Sequence, residues 1–275
     1  MIFLIFLIPF ILFVIYSLLM LVFRRAWLKQ IDFVFPEGYV PTTKIAIIIP
    51  ARNEEQNIKV CIQSILACDY PSHLFEIIVI DDHSSDHTYD KVLEFKLEHV
   101  HCIQLKDYVT AEEVGVAYKK KAIEIGVRYS KANYIITTDA DCIVPQNWLS
   151  SIAAIAERQQ SVFIIGPVTY SNQPGWLATF QALDFMTMQG ITGAIHQLKW
   201  GSMSNGANLT FSKTAFEMVE GYKGADHLAS GDDFLLLVKM QKAFPDKISY
   251  LKSQKAIVTT MPQPTLKSFF NQRIR

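Results

Sequence analysis

The strongest constraint on the fold is residues 134–141, a short apolar stretch that ends in two carboxylates. Its aromatic and β-branched residues are typical of a buried strand. Asp139 and Asp141 follow with one small residue between them. In open α/β sheets, ligands bind at the carboxyl ends of the strands. The stretch therefore predicts a strand that ends at a polar site, and the simpler alternative is a solvated turn.

Paired carboxylates at a strand end are suited to a hard divalent cation, Mg²⁺ or Mn²⁺. Mg²⁺ usually takes one or two protein carboxylates and fills its other positions with water and substrate phosphates. Asp139 and Asp141 are therefore candidate metal ligands.

The rest of the chain alternates apolar runs with helical patterns. Strands are predicted at residues 44–49, 75–80, 100–105 and 162–168, and helices at 54–67, 88–98, 117–130, from 145, and 234–240. This alternation predicts an α/β fold with a mainly parallel sheet and helices on both faces.

The first two predicted strands also end in polar clusters. These clusters are Arg52-Asn53-Glu54 and Asp81-Asp82-His83-Ser84-Ser85-Asp86. If the strand ends are adjacent, their polar residues share one crevice with Asp139 and Asp141. The chain has neither of the two familiar glycine-rich phosphate loops. A nucleotide bound there must be held by side chains and a metal.

Residues 1–23 are almost continuously apolar. At about 1.5 Å per residue they reach about 34 Å, enough to cross a hydrocarbon core of about 30 Å. The run lacks the basic start and small-residue cleavage site of a signal peptide. Arg24, Arg25 and Lys29 follow it, so the positive-inside rule places the rest of the chain in the cytoplasm. We expect a membrane anchor at 1–23 and a linker at 24–43.

Charge and cysteine content exclude several classes of protein. The chain has 26 basic and 26 acidic residues, so no net charge favours nucleic acid. Its four cysteines show no Cys-x-x-Cys spacing, and we expect buried thiols in a reducing compartment rather than zinc ligands or disulfides.

Three later segments are informative. The first and the third each have two possible interpretations, and the second has one. Residues 174–199 form an apolar helix that either packs on the sheet or dips partly into the membrane face. Asn205 and Gly206 begin a turn that leads into a strand. Gly231-Asp232-Asp233 precedes a predicted helix, where acids either cap the helix or supply a general base for an acceptor hydroxyl.

Taken in order, these motifs resemble those of glycosyltransferase family 2, the inverting enzymes of the GT-A fold. The resemblance covers residues 44–275 and is strongest to the membrane-bound bacterial members related to poly-N-acetylglucosamine, cellulose and hyaluronan synthases. It implies a nucleotide-sugar half at 44–141 and an acceptor half at 142–275.

The resemblance also implies residue roles on the donor side. Asp82 hydrogen-bonds the uracil, Asp141 binds the metal, Asp139 serves the ribose and metal, and the run 119–121 lies near the diphosphate, although Tyr118 replaces the usual glycine. The expected nucleotide-sugar ligands are Pro50, Ala51, Arg52, Glu54, Asp82, Lys120, Asp139, Gln272, Arg273 and Arg275.

On the acceptor side, the resemblance implies Asn205, Gly206, Gly231 and Asp232, with Asp233 as the catalytic base. The last residues resemble the Gln-x-x-Arg-Trp motif that closes the active site, but the sequence stops before the Trp. We therefore expect the natural protein to continue into further membrane helices.

The implied activity is transfer of a sugar from UDP-glucose or UDP-N-acetylglucosamine to a hydroxyl of a lipid or saccharide at the inner or plasma membrane. Three alternatives stay open. Asp139-Ala140-Asp141 also resembles the nucleophile motif of haloacid dehalogenase phosphatases, although three predicted strands precede it. The chain could be a non-catalytic nucleotide-binding or assembly protein. His83 and His87, four residues apart, could bind zinc.

Overall fold

A computed structural model describes residues 2–36, 38–109, 118–201, 203–224 and 231–274. Helices and strands alternate along most of the chain. The strands are β1 (Ile45–Ala51), β2 (Phe75–Asp81), β3 (Val100–Gln104), β4 (Tyr134–Thr137), β5 (Phe163–Ile165), β6 (Val168–Tyr170), β7 (Leu209–Ser212), β8 (Ile248–Tyr250) and β9 (Val258–Thr260). The helices are α1 (Ile2–Lys29), α2 (Ile58–Leu66), α3 (Thr88–Leu93), α4 (Tyr118–Tyr129), α5 (Trp148–Gln159), α6 (Trp176–Leu198), α7 (Lys213–Met218), α8 (Asp232–Ala243) and α9 (Leu266–Ile274).

Seven of these strands form one sheet in the order β3-β2-β1-β4-β7-β5-β8. The strands β1 to β4 pair in parallel, so their carboxyl ends lie along one edge. Strand β7 is antiparallel to β4 and pairs Leu209 with Thr137. The residues that lead into β7 therefore lie at the carboxyl end of β4. The predicted α/β fold with a mainly parallel sheet is confirmed.

Strand β1 shows why this sheet is buried on both faces. Ile45, Ile47 and Ile49 pack into the core beneath α2 and α5, whereas Ala46 and Ile48 pack into the core beneath α4 and α8. A strand covered on both faces is apolar at every position, which explains the unbroken apolar run in the sequence.

The predicted strand 162–168 is in fact two strands in different sheets. Strand β5 belongs to the main sheet, and β6 pairs in parallel with β9 in a separate two-stranded sheet. Gly166 and Pro167 lie between them. Pro167 has no N–H to give to a ladder, and a Cβ at Gly166 would lie 2.3 Å from the side chain of Asn208.

The buried side chain of Asn208 joins the two sheets. Its amide nitrogen donates to the carbonyls of Pro167 (2.7 Å) and Ala256 (2.9 Å), and its oxygen accepts from the indole of Trp148 (3.0 Å). Three partners satisfy most of the hydrogen-bonding capacity of one amide. Asn208 thus fixes the small sheet against the end of β4.

Helix α1 is longer than the predicted anchor. It continues to Lys29, so the first part of the predicted linker 24–43 is helical, and the anchor boundary at residue 23 stays a prediction. The helix persists because Ala26 is buried and Trp27 packs edge-on against Tyr250 at 5.9 Å. Within the described residues, one segment, Phe6–Lys29, is long and apolar enough to cross a membrane, and its most apolar 18-residue window has a mean hydropathy of 2.8.

Helix α6 packs along the last turns of α1 and leaves large apolar side chains exposed. Trp176, Phe180, Leu183 and Met186 are each at least half exposed. This pattern is compatible with either interpretation of residues 174–199, because the helix buries one face and presents an apolar outer face.

Replacing Asn208 with Ala should lower the free energy of unfolding by about 2 kcal/mol or more. The change leaves the Ala256 carbonyl and the Trp148 indole N–H unpaired, at about 1–3 kcal/mol for each unsatisfied group, whereas the Pro167 carbonyl keeps the N–H of Val258 (3.0 Å). Thermal unfolding in mild detergent measures the effect. Asn133→Ala, at an exposed turn residue, is the matched control, and equal midpoints for the two variants would contradict the role of Asn208.

Candidate active site

The three polar strand ends predicted from the sequence meet at one edge of the sheet. Strand β1 lies between β2 and β4, and all three run in the same direction. The residues after Ala51, Asp81 and Thr137 therefore border a single crevice, with Pro50 and Ala51 in the last positions of β1.

Hydrogen bonds hold the first two loops together. The backbone N–H of Asp82 donates to the carbonyl of Ala51 (2.8 Å), and the guanidinium of Arg52 lies 3.8 Å from the Asp82 carboxylate. The side chain of Asn53 accepts from the N–H of Ser85 (2.8 Å). Asn53 has a φ of +57°, a region that asparagine tolerates better than most residues. Arg52 and Asp82 are thereby placed side by side.

The β4 loop gathers the candidate metal ligands. One ligand atom each from Asp139, Asp141 and Cys142 lies within 4.8 Å of the others. Burial, and then the neighbouring Asp139, raises the pKa of Asp141. Two oxygen donors on one side of an open crevice fit Mg²⁺ or Mn²⁺, which keep further positions for water and phosphate.

Thr260 supports this pair from the small sheet. Its hydroxyl donates to Asp141 at 3.1 Å across 119 residues of sequence. Sequence reasoning missed Thr260, because nothing in Val258-Thr259-Thr260 distinguishes it from an ordinary strand.

A third carboxylate, that of Glu54, faces the same place. Burial raises its pKa, and the nearby carboxylates of Asp141 and Asp139 raise it further, against a hydrogen bond from Asn57 (2.8 Å) that lowers it. Acids that raise one another's pKa create a site that favours a cation.

Lys119 is a cation that contacts one of these acids, Asp139. Its ammonium donates to Asp139 at 2.6 Å. Although burial opposes the charged form, Asp139 and then Asp232 hold the pKa of Lys119 above its ordinary value. Lys120, the residue expected at the diphosphate, is buried in the α4 layer with 3% of its surface exposed. Successive residues of a helix point about 100° apart, so the structure brings Lys119, and not Lys120, against Asp139.

The residues expected on the acceptor side lie across Lys119. Gly206 approaches so closely that a Cβ there would lie 3.4 Å from the Lys119 ammonium and 3.8 Å from an Asp232 oxygen. Thr137 donates to the Gly206 carbonyl (2.8 Å), and the Asn205 side chain accepts from the N–H of Ala207 (3.0 Å). These bonds fix the loop at the end of β4.

Asp233 lies in the first turn of α8, after Gly231 in the left-handed region (φ +79°). Its carboxylate accepts from the N–H of Phe234 at 2.8 Å. Burial and the adjacent Asp232 raise the pKa of Asp233 to about 6, against the lowering effects of that N–H and of Lys119. A carboxylate that titrates near neutrality is suited to accept a proton from a hydroxyl.

Helix α9 contacts α6 and the small sheet. Arg273 forms an ion pair with Asp184 of α6, and Gln272 lies beside the phenol of Tyr170, which is itself within electrostatic range of Asp141. Among the described residues, neither Arg273 nor Gln272 forms an ion pair with Asp139 or Asp141. Arg275 lies outside the described residues.

The two histidines considered as zinc ligands have different partners. His83 contacts Asp82 (2.9 Å), and His87 contacts Asp90 (3.3 Å). In the described part of the chain, the group of side chains that could hold a metal is the one at Asp139, and it contains no histidine.

Comparison with known proteins agrees with this geometry. The family described as Glycosyl transferase family 2 matches residues 46–216, more than half of the chain. The chain belongs to glycosyltransferase family 2. The match spans the strands and loops that build the crevice from β1 to β7.

Relatives with assigned activities include polymer synthases. A poly-beta-1,6-N-acetyl-D-glucosamine synthase of Staphylococcus epidermidis is 23% identical over 239 residues, which cover 84% of this chain and 53% of the relative. Chondroitin synthase of Escherichia coli is 23% identical over 203 residues, 73% of this chain and 27% of the relative. The chain thus spans about half, or less, of the length of these relatives.

Solved structures share the fold. The mannosyltransferase PcManGT of Pyrobaculum calidifontis, in complex with GDP-Man and Mn²⁺, is 21% identical with a TM-score of 0.65, covering 92% of this chain and 68% of that one. S. aureus TarS 1–349 in complex with UDP is 19% identical with a TM-score of 0.58, and the match covers 83% of this chain and 62% of that one. These likenesses establish the predicted GT-A fold.

Replacing Lys119 with Met should increase the affinity for Mn²⁺ in the absence of nucleotide. The ammonium occupies one carboxylate oxygen of Asp139, and a partly exposed ion pair contributes up to about 1 kcal/mol, or about fivefold in affinity. Titration of Mn²⁺ by electron paramagnetic resonance measures the change. Lys131→Met, at an exposed lysine, is the control, and an unchanged affinity for Lys119→Met would show that the ion pair does not compete with the metal.

Proposed function

We propose that the chain carries the catalytic domain of a membrane-anchored inverting glycosyltransferase. It moves a sugar from a UDP-linked donor to a hydroxyl of a lipid or saccharide acceptor. The observation that carries the proposal is the single crevice in which the carboxylates of Asp139 and Asp141 border Lys119, with Asp232 and Asp233 beyond it.

The donor side is formed by the first two loops and the β4 loop. Pro50, Ala51, Arg52 and Asp82 are suited to the base end, because an Asp carboxylate accepts from a uracil N–H and the neighbouring arginine holds that carboxylate in place. The TarS neighbour binds UDP and, in another structure, UDP-GlcNAc, whereas PcManGT binds GDP-Man. UDP-glucose and UDP-N-acetylglucosamine are the donors we propose.

A divalent cation, Mg²⁺ or Mn²⁺, fits the Asp139–Asp141 pair. When bound, it supplies Lewis-acid stabilisation of the negative charge that develops on the diphosphate leaving group. Glu54 adds negative charge to the same pocket. Once released from Asp139, Lys119 is suited to bind diphosphate oxygens. The same role for Lys120, expected from the family resemblance, stays a prediction.

Asp233 acts as the general base. It accepts the proton of the acceptor hydroxyl while that oxygen attacks the anomeric carbon from the face opposite the diphosphate. The new glycosidic bond forms as the bond to the diphosphate breaks, so one displacement inverts the configuration. Asn205, Gly206, Gly231 and Asp232 border the space where the acceptor lies.

Helix α9 completes the donor site in this proposal. A guanidinium binds phosphate oxygens in two-pronged fashion, which suits Arg273 and Arg275 to the diphosphate, with Gln272 beside them. To take this role, Arg273 must leave its ion pair with Asp184 and bind the diphosphate instead.

Helix α1 anchors the enzyme in the inner or plasma membrane. Its apolar length is followed by Arg24, Arg25 and Lys29, which favour a cytoplasmic location for the catalytic domain. Residues 44–141 form the nucleotide-sugar half and 142–275 the acceptor half. The comparisons give no support to a phosphatase or to a non-catalytic protein.

Binding of UDP should require both the metal and Asp141. Calorimetry on the chain should show UDP binding with Mn²⁺ or Mg²⁺ and none with EDTA, because the diphosphate has no glycine-rich loop to hold it. Asp141→Asn should abolish the metal-dependent part, while Asp246→Asn, at a surface ion pair with Lys199, should not. Equal UDP binding in Asp141→Asn would exclude the proposed site, and a screen of GDP against UDP tests the choice of base.

Asp233→Asn should lower turnover of the UDP-sugar by about 10²–10⁴-fold, the usual contribution of a general base. Because the base must be deprotonated and its pKa is raised to about 6, kcat/KM of the wild type should fall as the pH drops below about 6. Asp232→Asn removes a like charge and should move this acid limb to lower pH. An acid limb unchanged in Asp232→Asn, or near-normal turnover in Asp233→Asn, would remove Asp233 from the base role.

A further inference from the structure

A second cavity lies away from the crevice, between α1, α6 and the small sheet. Its volume is about 550 Å³. It begins at Met20 of α1, runs past Phe23 and Trp27, and is closed on its other sides by Pro167–Thr169 and by one face of α6. Most of its lining side chains are apolar, and we call it the α1–α6 groove.

The groove exists because the two helices touch at one point and separate beside it. At Gly193 the contact is so close that a Cβ would lie 2.6 Å from the Trp27 ring. One turn earlier, Gly190 lines the groove, and a Cβ there would have nothing within 4 Å. The gap between the helices is therefore open at Gly190 and closed at Gly193.

The position of the groove along α1 matches the edge of a membrane. Met20 belongs to the apolar run, whereas Arg24 and Arg25 end it. Apolar side chains such as Phe10, Leu12 and Phe13 are more than half exposed along the outer part of the helix. If α1 spans a bilayer, the groove opens at the boundary between hydrocarbon and headgroups.

Arg24 lines the groove and is a cation for which the described residues supply no hydrogen-bonding or ion-pair partner. A guanidinium beside apolar walls is matched by a ligand with a hydrocarbon chain and an anionic oxygen group. An apolar helix or a second copy of the α1 surface would cover the groove but leave this charge buried and unpaired, which is costly.

We propose that the α1–α6 groove binds an anionic membrane phospholipid, with its hydrocarbon chain along Met20, Phe23 and Gly190 and its phosphate at Arg24. This inference rests on the membrane anchoring included in the proposed function. The lipid is not the acceptor, because strands β6 and β9 separate the groove from Asp141: Thr169 lines the groove on β6, and Thr260 contacts Asp141 from β9. It holds the catalytic domain against the membrane surface.

The test uses the chain in phosphatidylcholine nanodiscs that contain a small fraction of phosphatidylglycerol with a photoreactive diazirine in one acyl chain. A phosphatidylcholine with the same acyl chain is the neutral probe. After illumination, labelled peptides are identified by mass spectrometry. The anionic probe should label residues 20–27 and 186–191 at least about fivefold more than the neutral probe.

Two variants separate the groove from general membrane contact. Gly190→Leu adds a bulky side chain at a position of the groove where a Cβ has nothing within 4 Å, and it should lower labelling by the anionic probe at least about fivefold. Thr179→Leu, on the exposed surface of the same helix, should not. Arg24→Gln should remove the preference for the anionic probe and leave labelling by the neutral probe unchanged.

Equal labelling of the wild type and Gly190→Leu would overturn the groove as the site, and equal labelling by the two probes would overturn the role of Arg24. Absence of labelling, as when another segment or a second copy covers the groove, overturns the proposal as well. UDP binding measured on the same samples separates this inference from the proposed function. Intact UDP binding without labelling removes only the lipid site, whereas labelling without UDP binding removes only the transferase.

Discussion

The site depends on a balance of charge at the carboxyl edge of the sheet. Glu54, Asp139, Asp141 and the acids at the start of α8 converge there, and Lys119 is the ammonium that contacts Asp139 directly. Burial and the neighbouring carboxylates raise the pKa of Glu54, Asp141 and Asp233, so nearby positive charge stabilises the ionised form of these acids. A divalent metal would supply more positive charge to these acids than one lysine does. The diphosphate bound with it could then take Lys119 as its own partner. The same repulsion explains why the crevice lies at strand ends, where the acids stay partly in contact with water.

The fold keeps these acids together through a few buried polar contacts. Strand β7 is antiparallel to its neighbours and returns the 205–208 loop to the end of β4. Asn208 then connects that loop to the small sheet, and Thr260 of the small sheet donates to Asp141. The 205–208 loop and the Asp139–Asp141 pair are therefore held by one continuous set of hydrogen bonds. A change at Asn208 reaches Asp141 through the small sheet, even though the two side chains do not touch.

The parts of this structure that follow from local pattern were predictable, and those that depend on packing were not. The parallel strands β1, β2 and β4 are buried on both faces, so their apolar runs and polar ends identify them and the crevice. The register of α4 was not readable, because three successive lysines leave no periodic signal to choose Lys119 over Lys120. The division of 162–168 depends on the space that Asn208 occupies beside Gly166. The helical extension of α1 to Lys29 depends on Trp27 packing against Tyr250, a contact across more than 200 residues of sequence.

The packing at the end of α1 also bears on the proposed membrane anchoring. Lys252 donates to the carbonyl of Gln30 (3.0 Å), pairs with Asp32 (3.1 Å) and lies over the Trp27 ring at 4.8 Å. The Lys252 ammonium thus gives a hydrogen-bond partner to a carbonyl at the carboxyl end of α1. Its positive charge also interacts favourably with the negative end of the helix dipole. They join α1 to the same domain that carries β8 and β9. In the proposed membrane-anchored enzyme, a helix fixed in this way would give the catalytic domain a set orientation relative to the bilayer, instead of letting it swing on a flexible linker. An acceptor confined to the membrane surface would then meet Asp233 from a constant direction, which is the condition that a single in-line displacement requires.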